Sequence, residues 1–232
     1  MTQPIAQALS ARLRDMILAG EFRGGQHLRE VQLAQMFGAS RTPVRLALAA
    51  SEKDGLLEYS PNRGYVVRPF ETKDIASAFE MRALIEGLAA RKAAERGLSA
   101  EALGRIAAAI DQVDALLSTE AALDDAAREA WRTHNAVFHR AIIAGADNRF
   151  IAPTLETVQR IPSVYPPILA SYDPALLRKY NDHHRGIRDC IAGRQGVRAE
   201  YLMREHVFLA GEEICASLSP ARAHGIAPDA LS

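Results

Sequence analysis

The chain has 232 residues, 48% hydrophobic and 24% charged, which excludes a disordered tail and suffices for one large core or two smaller ones. No apolar run reaches the roughly 20 residues that cross a bilayer, the opening MTQPIAQALSARLRD lacks the apolar stretch of a secretion signal, and Cys190 and Cys215 show no CxxC spacing, so a reducing cytoplasm is expected rather than a disulfide framework. The formal net charge is zero, which excludes a polybasic scaffold, yet residues 1–70 carry nine Arg/Lys against six Asp/Glu, so a nucleic-acid contact belongs at that end.

Residues 4–19 alternate apolar and polar at helical spacing, with Ala8, Leu9, Leu13, Ile17 and Leu18 on one side and Gly20 as the stop. After Gly24-Gly25 a short helix over 30–37 is stopped by Gly38. Ser40 is then placed to cap a helix that carries Pro43 in its first turn and runs to about Asp54. Leu56–Tyr59 and Tyr65–Arg68 read as two short strands joined by the turn Pro61-Asn62-Arg63-Gly64.

From Thr72 onward the pattern is helical throughout. The expected helices run Thr72–Arg96, from a cap at Ser99, about Leu123–Ala144, from near Asn148 to the prolines 162, 166 and 167, from Asp173-Pro174, and from Gly196 to near Ser219. The expected fold class is therefore mainly α. Residues 1–70 are expected to form a small N-terminal domain, 71–219 a bundle of six to seven helices, and 220–232 a mobile tail.

In a helix-turn-helix the second helix enters the major groove, and here that helix is Arg41–Asp54. Val44, Ala47, Leu48 and Ser51 fall on its inward face. Arg41 and Arg45 lie four apart on the outer face beside Thr42, a spacing that reaches adjacent guanine edges or flanking phosphates. The alternative is an ordinary solvated face. The hairpin tip suits the DNA backbone or minor groove, with Gly64 permitting close approach and Arg63 supplying charge.

LREVQLAQMFGASRTPVRLAL followed by GLLEYSPNRGYVV resembles the winged helix-turn-helix of GntR-family bacterial transcription regulators. The resemblance covers residues 5–69. It implies that Arg41, Thr42, Arg45 and Gly64 contact DNA, with Ser40 and Arg63 beside them. Leu46, where many members carry Glu, and Ala49-Ala50, where basic residues are common, depart from the pattern.

In the bundle, Trp131, Asn135, Phe138, His139 and Ile142 share one stripe. His184 shares another with Leu177, Tyr180, Ile187 and Ile191, and His206 a third with Leu202, Met203 and Leu209. Each buried imidazole needs a partner. The bland reading is separately satisfied core histidines; the sharper one is a shared divalent metal, for which imidazole nitrogens suit zinc or nickel. Spacing alone leaves His183 and His184 as alternatives. Arg82 and Glu86, at i,i+4, form an ion pair in one reading; in the other Arg82 clamps a ligand carboxylate.

FEMRALIEGLAARKAAERG, NAVFHRAI, HHRGIRDCIAGRQGVRAE and MREHV resemble the FCD (FadR C-terminal) ligand-binding domain. That resemblance implies a metal held by Asn135, His139, His184 and His206. His184 is chosen because Arg185-Gly186-Ile187 follows it. Asn135 stands where Asp is commoner, and a neutral oxygen holds a cation more weakly. It further implies a small organic acid as effector, with Arg82, Arg160 and Tyr165 as cavity residues. His27, His134 and His183 are expected at the surface.

The expected function is a metabolite-responsive transcription regulator, a repressor, acting as a homodimer on a palindromic double-stranded operator, with no membrane partner and no enzymatic activity. One rival keeps the regulator without a metal, sensing a larger acyl ligand. Another is a metal-dependent hydrolase, against which no Asp or Glu lies on the inward stripe of the His139 helix.

Overall fold

The computed structural model describes residues 2–18, 21–61, 63–69, 71–118, 122–159 and 172–217. It divides into two compact units, with the change at Ile75–Ala76.

The first unit contains α1 (Thr2–Leu18), β1 (His27–Leu28), α2 (Glu30–Phe37), α3 (Arg41–Lys53), β2 (Leu57–Ser60) and β3 (Gly64–Val67). Its core follows the apolar spacing. Leu9, Leu13 and Ile17 of α1 meet Leu33 of α2, Val44, Ala47 and Leu48 of α3, and Leu28, Leu57 and Val67 of the sheet. Ala8, expected inside, is exposed: the buried stripe of α1 runs through Ala6, Leu9, Leu13 and Ile17 instead. The side chain of Leu18, and Gly20, lie outside the described residues. Ser40 occupies the N-cap position of α3 without a side-chain hydrogen bond, so the helix starts on backbone geometry and not on the expected cap.

The sheet has three antiparallel strands in the order β1-β3-β2, where the sequence shows only two. Leu57 pairs with Val67 and Ser60 with Gly64, while His27 pairs with Val66. At the hairpin tip the Arg63 amide donates to the Ser60 carbonyl at 3.0 Å. Gly64 has φ 75° with nothing near its missing Cβ, so its need for glycine is conformational.

The second unit contains α4 (Thr72–Arg96), α5 (Ala100–Leu116), α6 (Asp125–Gly145), α7 (Ile151–Val158), α8 (Pro174–Ala192) and α9 (Gly196–Ser217). Side chains cap α5, α6 and α8. Ser99 accepts from the Ala102 amide at 3.1 Å, Asp124 from Ala127 at 2.8 Å and Asp173 from Ala175 at 3.0 Å. Helix α5 packs against α6 and α8, and α8 against α9. A Cβ on Gly211 of α9 would lie 2.5 Å from the Cβ of Phe79 on α4, so glycine lets these two helices close on each other. Among the described residues, the buried polar ones of this unit are Arg82, Glu86, Asn135, His139, Asn181, His184 and His206, and they belong to α4, α6, α8 and α9. Among the described residues no helix is long and apolar enough to cross a membrane.

Leu48 of α3 is fully buried, so Leu48→Ala will lower the stability of the first unit by about 2–5 kcal/mol. Urea denaturation followed by circular dichroism checks it; a loss well below that range contradicts the packing described.

Candidate functional site

In the first unit, Val44, Ala47, Leu48 and Ser51 of α3 are buried and Arg41, Thr42 and Arg45 exposed, as the stripe requires. The two guanidiniums are not loose. Glu30, at the start of α2, accepts from Arg45 Nε at 3.0 Å and Nη2 at 3.1 Å, and from Arg41 Nη2 at 3.1 Å. The Arg45 hydrogen bond lowers the Glu30 carboxyl below its ordinary range; partial burial opposes this and Arg41 reinforces it. The sequence reading missed Glu30, which lies 15 residues before Arg45. Its one visible signal was an acid opening the helix next to the reading helix. Ser40 and Arg63 are exposed. His27 is exposed too, with Nδ1 3.3 Å from the Arg63 carbonyl, so it props the hairpin tip.

The second unit brings three histidines together. One ring nitrogen from each of His139, His184 and His206 lies within 4.8 Å of the other two, and all three side chains are buried. Helix α6 contributes His139, α8 His184 and α9 His206. Nε2 of His184 faces Nε2 of His206 at 3.1 Å. Two imidazole nitrogens on a common tetrahedral ion, each at 2.0–2.1 Å, would stand about 3.3 Å apart, so the observed spacing fits a shared cation. Phe138 stacks on His184 with centroids 3.8 Å apart and holds that ring in place. Nδ1 of His206 is buried and has no partner among the described residues.

His139 is oriented from a different helix. Its Nδ1 lies 2.7 Å from Oε2 of Glu86 on α4, which leaves Nε2 for the cluster. Oε1 of Glu86 takes Arg82 Nε at 2.9 Å and Nη2 at 2.8 Å. Burial alone would push the Glu86 carboxyl up, but Arg82 and His139 outweigh it and hold it at about 2. The ion-pair reading of Arg82 and Glu86 is therefore correct. It is incomplete, because Glu86 also fixes the His139 ring across 53 residues of sequence. An acid on the inward, apolar stripe of α4 was the available signal. A carboxylate thus reaches the cluster after all, though from α4 and not from the His139 helix, and each of its oxygens already accepts a hydrogen bond.

Asn135 lies one turn before His139 on α6 and is 8% exposed. With Phe79, Arg82, Trp131, Tyr180 and His206 it walls a small cavity of about 20 Å³. Three imidazoles and a carboxamide are donors that suit a divalent transition-metal ion, and His139, His184, His206 and Asn135 are the residues that would hold such an ion. His183, expected at the surface, is half-buried. Its Nδ1 is enclosed without a partner among the described residues, because α9 covers that side of α8. Arg160 and Tyr165 lie outside the described residues.

Burial holds His184 and His206 well below the ordinary imidazole value of 6.5, and the neighbouring histidines reinforce it. The unfolded chain protonates these rings where the folded chain does not. Their contribution to stability is therefore complete above about pH 6.5 and lost as pH falls below it. The melting temperature of chelator-stripped protein should fall as pH is lowered from 6.5 towards 5; a flat profile would contradict neutral, buried rings.

Comparison with known proteins adds two family matches: residues 5–67 fit the model of bacterial regulatory proteins of the gntR family, and residues 77–208 fit the FCD domain. The chain is 24% identical over 202 residues to the HTH-type transcriptional repressor GlaR of Escherichia coli, covering 84% of this chain and 89% of that protein. It is 28% identical over 230 residues to the probable D-xylose utilization operon transcriptional repressor of Paenarthrobacter nicotinovorans, covering 93% and 89%. Its 38% identity to the regulator YdhC of Bacillus subtilis extends over only 34% of this chain and 35% of that protein. In structure it resembles E. coli McbR/YncC, with a TM-score of 0.72 at 17% identity over 93% of this chain and 99% of the other.

Proposed function

The chain belongs to the GntR family of bacterial regulatory proteins, carries an FCD domain and is a DNA-binding transcription regulator of that kind; we propose that it is a repressor whose hold on its operator is set by a small carboxylate metabolite bound at a divalent-cation site in the helical unit. The observation that carries this reading is the convergence of His139, His184 and His206 from three helices beside a cavity. Repressors among the relatives that span most of the chain support the sign of regulation.

On the DNA side, Arg41, Thr42 and Arg45 present donors to base edges and phosphates of the major groove, with Ser40 beside them. Glu30 keeps the two guanidiniums parked in the outward position until phosphates compete for them. Arg63 and Gly64 at the hairpin tip contact the backbone or the minor groove. Such a protein acts in the cytoplasm, on double-stranded DNA.

The reading includes a homodimer on a palindromic site. In the second unit Leu84 and Leu88 of α4 and Tyr201 and Phe208 of α9 are exposed. Leu84, Tyr201 and Phe208 border a groove that also holds Glu80, Arg204 and Glu205. An apolar centre ringed by both signs of charge is complementary to a copy of itself turned through a two-fold axis.

In the helical unit, Arg82 walls the cavity while paired to Glu86, so its positive charge attracts a carboxylate without being left alone when the cavity is empty. The effector shifts the balance of dimer geometries only as far as it binds one of them better. The hydrolase alternative would need a general base, and Glu86, the acid that reaches the cluster, already accepts from Arg82 and faces His139.

Gel-shift assays on the protein's own promoter region test the DNA role. Arg45→Ala should abolish the shift at moderate salt, and unchanged binding would contradict the role of Arg45. Metal analysis of protein purified without chelator tests the cation site. About one equivalent per chain is expected; none would favour a metal-free site that takes a larger acyl ligand.

A further inference from the structure

The outward face of α3 is divided between charge and apolar surface. Arg41 and Arg45 lie on the flank towards α2, where Glu30 gathers both guanidiniums. Opposite the buried stripe of Val44, Ala47, Leu48 and Ser51, the face carries Thr42, Leu46 and Ala49 at i, i+4 and i+7, and all three are exposed. Leu46 leaves 53% of its surface in water. An isolated exposed leucine is ordinary. This one adjoins Arg45, in the middle of the face that a groove-reading helix turns towards base edges. Its branched end and the methyls of Thr42 and Ala49 make an apolar strip about two turns long. The strip carries no charge, so a phosphate is not its complement.

We propose that Leu46, flanked by Thr42 and Ala49, reads the 5-methyl group of thymine in the major groove and so sets part of the operator sequence. The inference rests on α3 being the helix that enters the groove. Of the four bases only thymine presents an apolar group on that edge; guanine, adenine and cytosine present hydrogen-bond donors and acceptors. A leucine gains nothing from O6 or N7 of a purine, whereas one that covers a methyl removes apolar area of both partners from water. The labour on the face is then divided. Arg41 and Arg45 meet phosphates or guanine edges on one flank, and Leu46 selects a thymine beside them. Covering one methyl raises affinity about fourfold, enough to rank sites without holding the protein on DNA by itself. A carboxylate at position 46 would instead accept from a cytosine amino group, so leucine changes which base is favoured.

The test uses the full-length chain and one probe in two forms. The probe is the duplex that wild-type protein selects from a random-sequence pool, synthesised with thymine or with uracil, so that the second form lacks only the methyl groups. Affinity is read by fluorescence anisotropy across a salt series. Wild type should bind the thymine duplex about fourfold or more tighter than the uracil duplex. Leu46→Ala should bind the thymine duplex more weakly than wild type, and its ratio between the two forms should shrink to about twofold or less. Its salt slope should match wild type, because no phosphate contact is lost. Equal wild-type affinity for both forms, or the full ratio retained by Leu46→Ala, would overturn the methyl contact while leaving DNA binding through the arginines standing. A flatter salt slope would overturn it as well, since Leu46 would then act by placing phosphate contacts. So would a change in the solution mass of DNA-free Leu46→Ala, which would make the strip a contact between protein copies. Should Leu46→Ala bind neither form, Leu46→Gln decides: this side chain has similar reach but is polar, so the ratio should shrink, and a full ratio would overturn the proposal. Unchanged binding of the thymine duplex by Arg45→Ala would overturn the reading of α3 as the groove helix, and the inference with it.

Discussion

Two ring nitrogens 3.1 Å apart, on His184 and His206, create a demand that the surrounding core does not meet. In a metal-free protein one ring must donate to the other, and the outer nitrogen of His206 remains enclosed without a partner among the described residues. Buried polar groups left in that condition destabilise a fold unless something else satisfies them. The structure invests in the arrangement nonetheless. Phe138 clamps the His184 ring, Glu86 fixes the tautomer and tilt of His139, and Arg82 balances Glu86. Such bracing makes sense for a site that holds its donors ready for a cation, and it ties α4 to α6 while the histidines tie α6 to α8 and α9.

A similar device operates in the DNA-reading unit. There a carboxylate from the preceding helix, Glu30, gathers Arg41 and Arg45 into one outward-facing cluster. In both units an acid from a neighbouring helix fixes the direction of a nitrogen donor and limits its conformational freedom before any ligand arrives. The difference is burial. Glu30 and its arginines meet water. Glu86 is enclosed, and each of its oxygens already faces a nitrogen donor.

The sequence carried the helical stripes of both units because apolar spacing is a local property. His139, His184 and His206 could be placed on inward faces, and the resemblance to the FCD domain resolved His184 from His183. Caps at Ser99 and Asp173 were also legible, being local. What escaped was long-range or too short to leave a pattern. Glu86 and His139 are separated by 53 residues and Glu30 and Arg45 by 15, and no periodicity links them. The strand His27–Leu28 has two residues, too few to show alternation. Ser40 has the right type and position for a cap, yet its side chain makes no capping bond.

In the proposed site the imidazoles of α6, α8 and α9 hold one cation between them. Crystals of protein purified without chelator, measured on both sides of the zinc and nickel absorption edges, test it most directly. One anomalous peak per chain is expected, enclosed by His139, His184 and His206 with Asn135 beside it. A peak elsewhere on the chain, or continuous density joining the His184 and His206 rings with no scatterer between them, would contradict it.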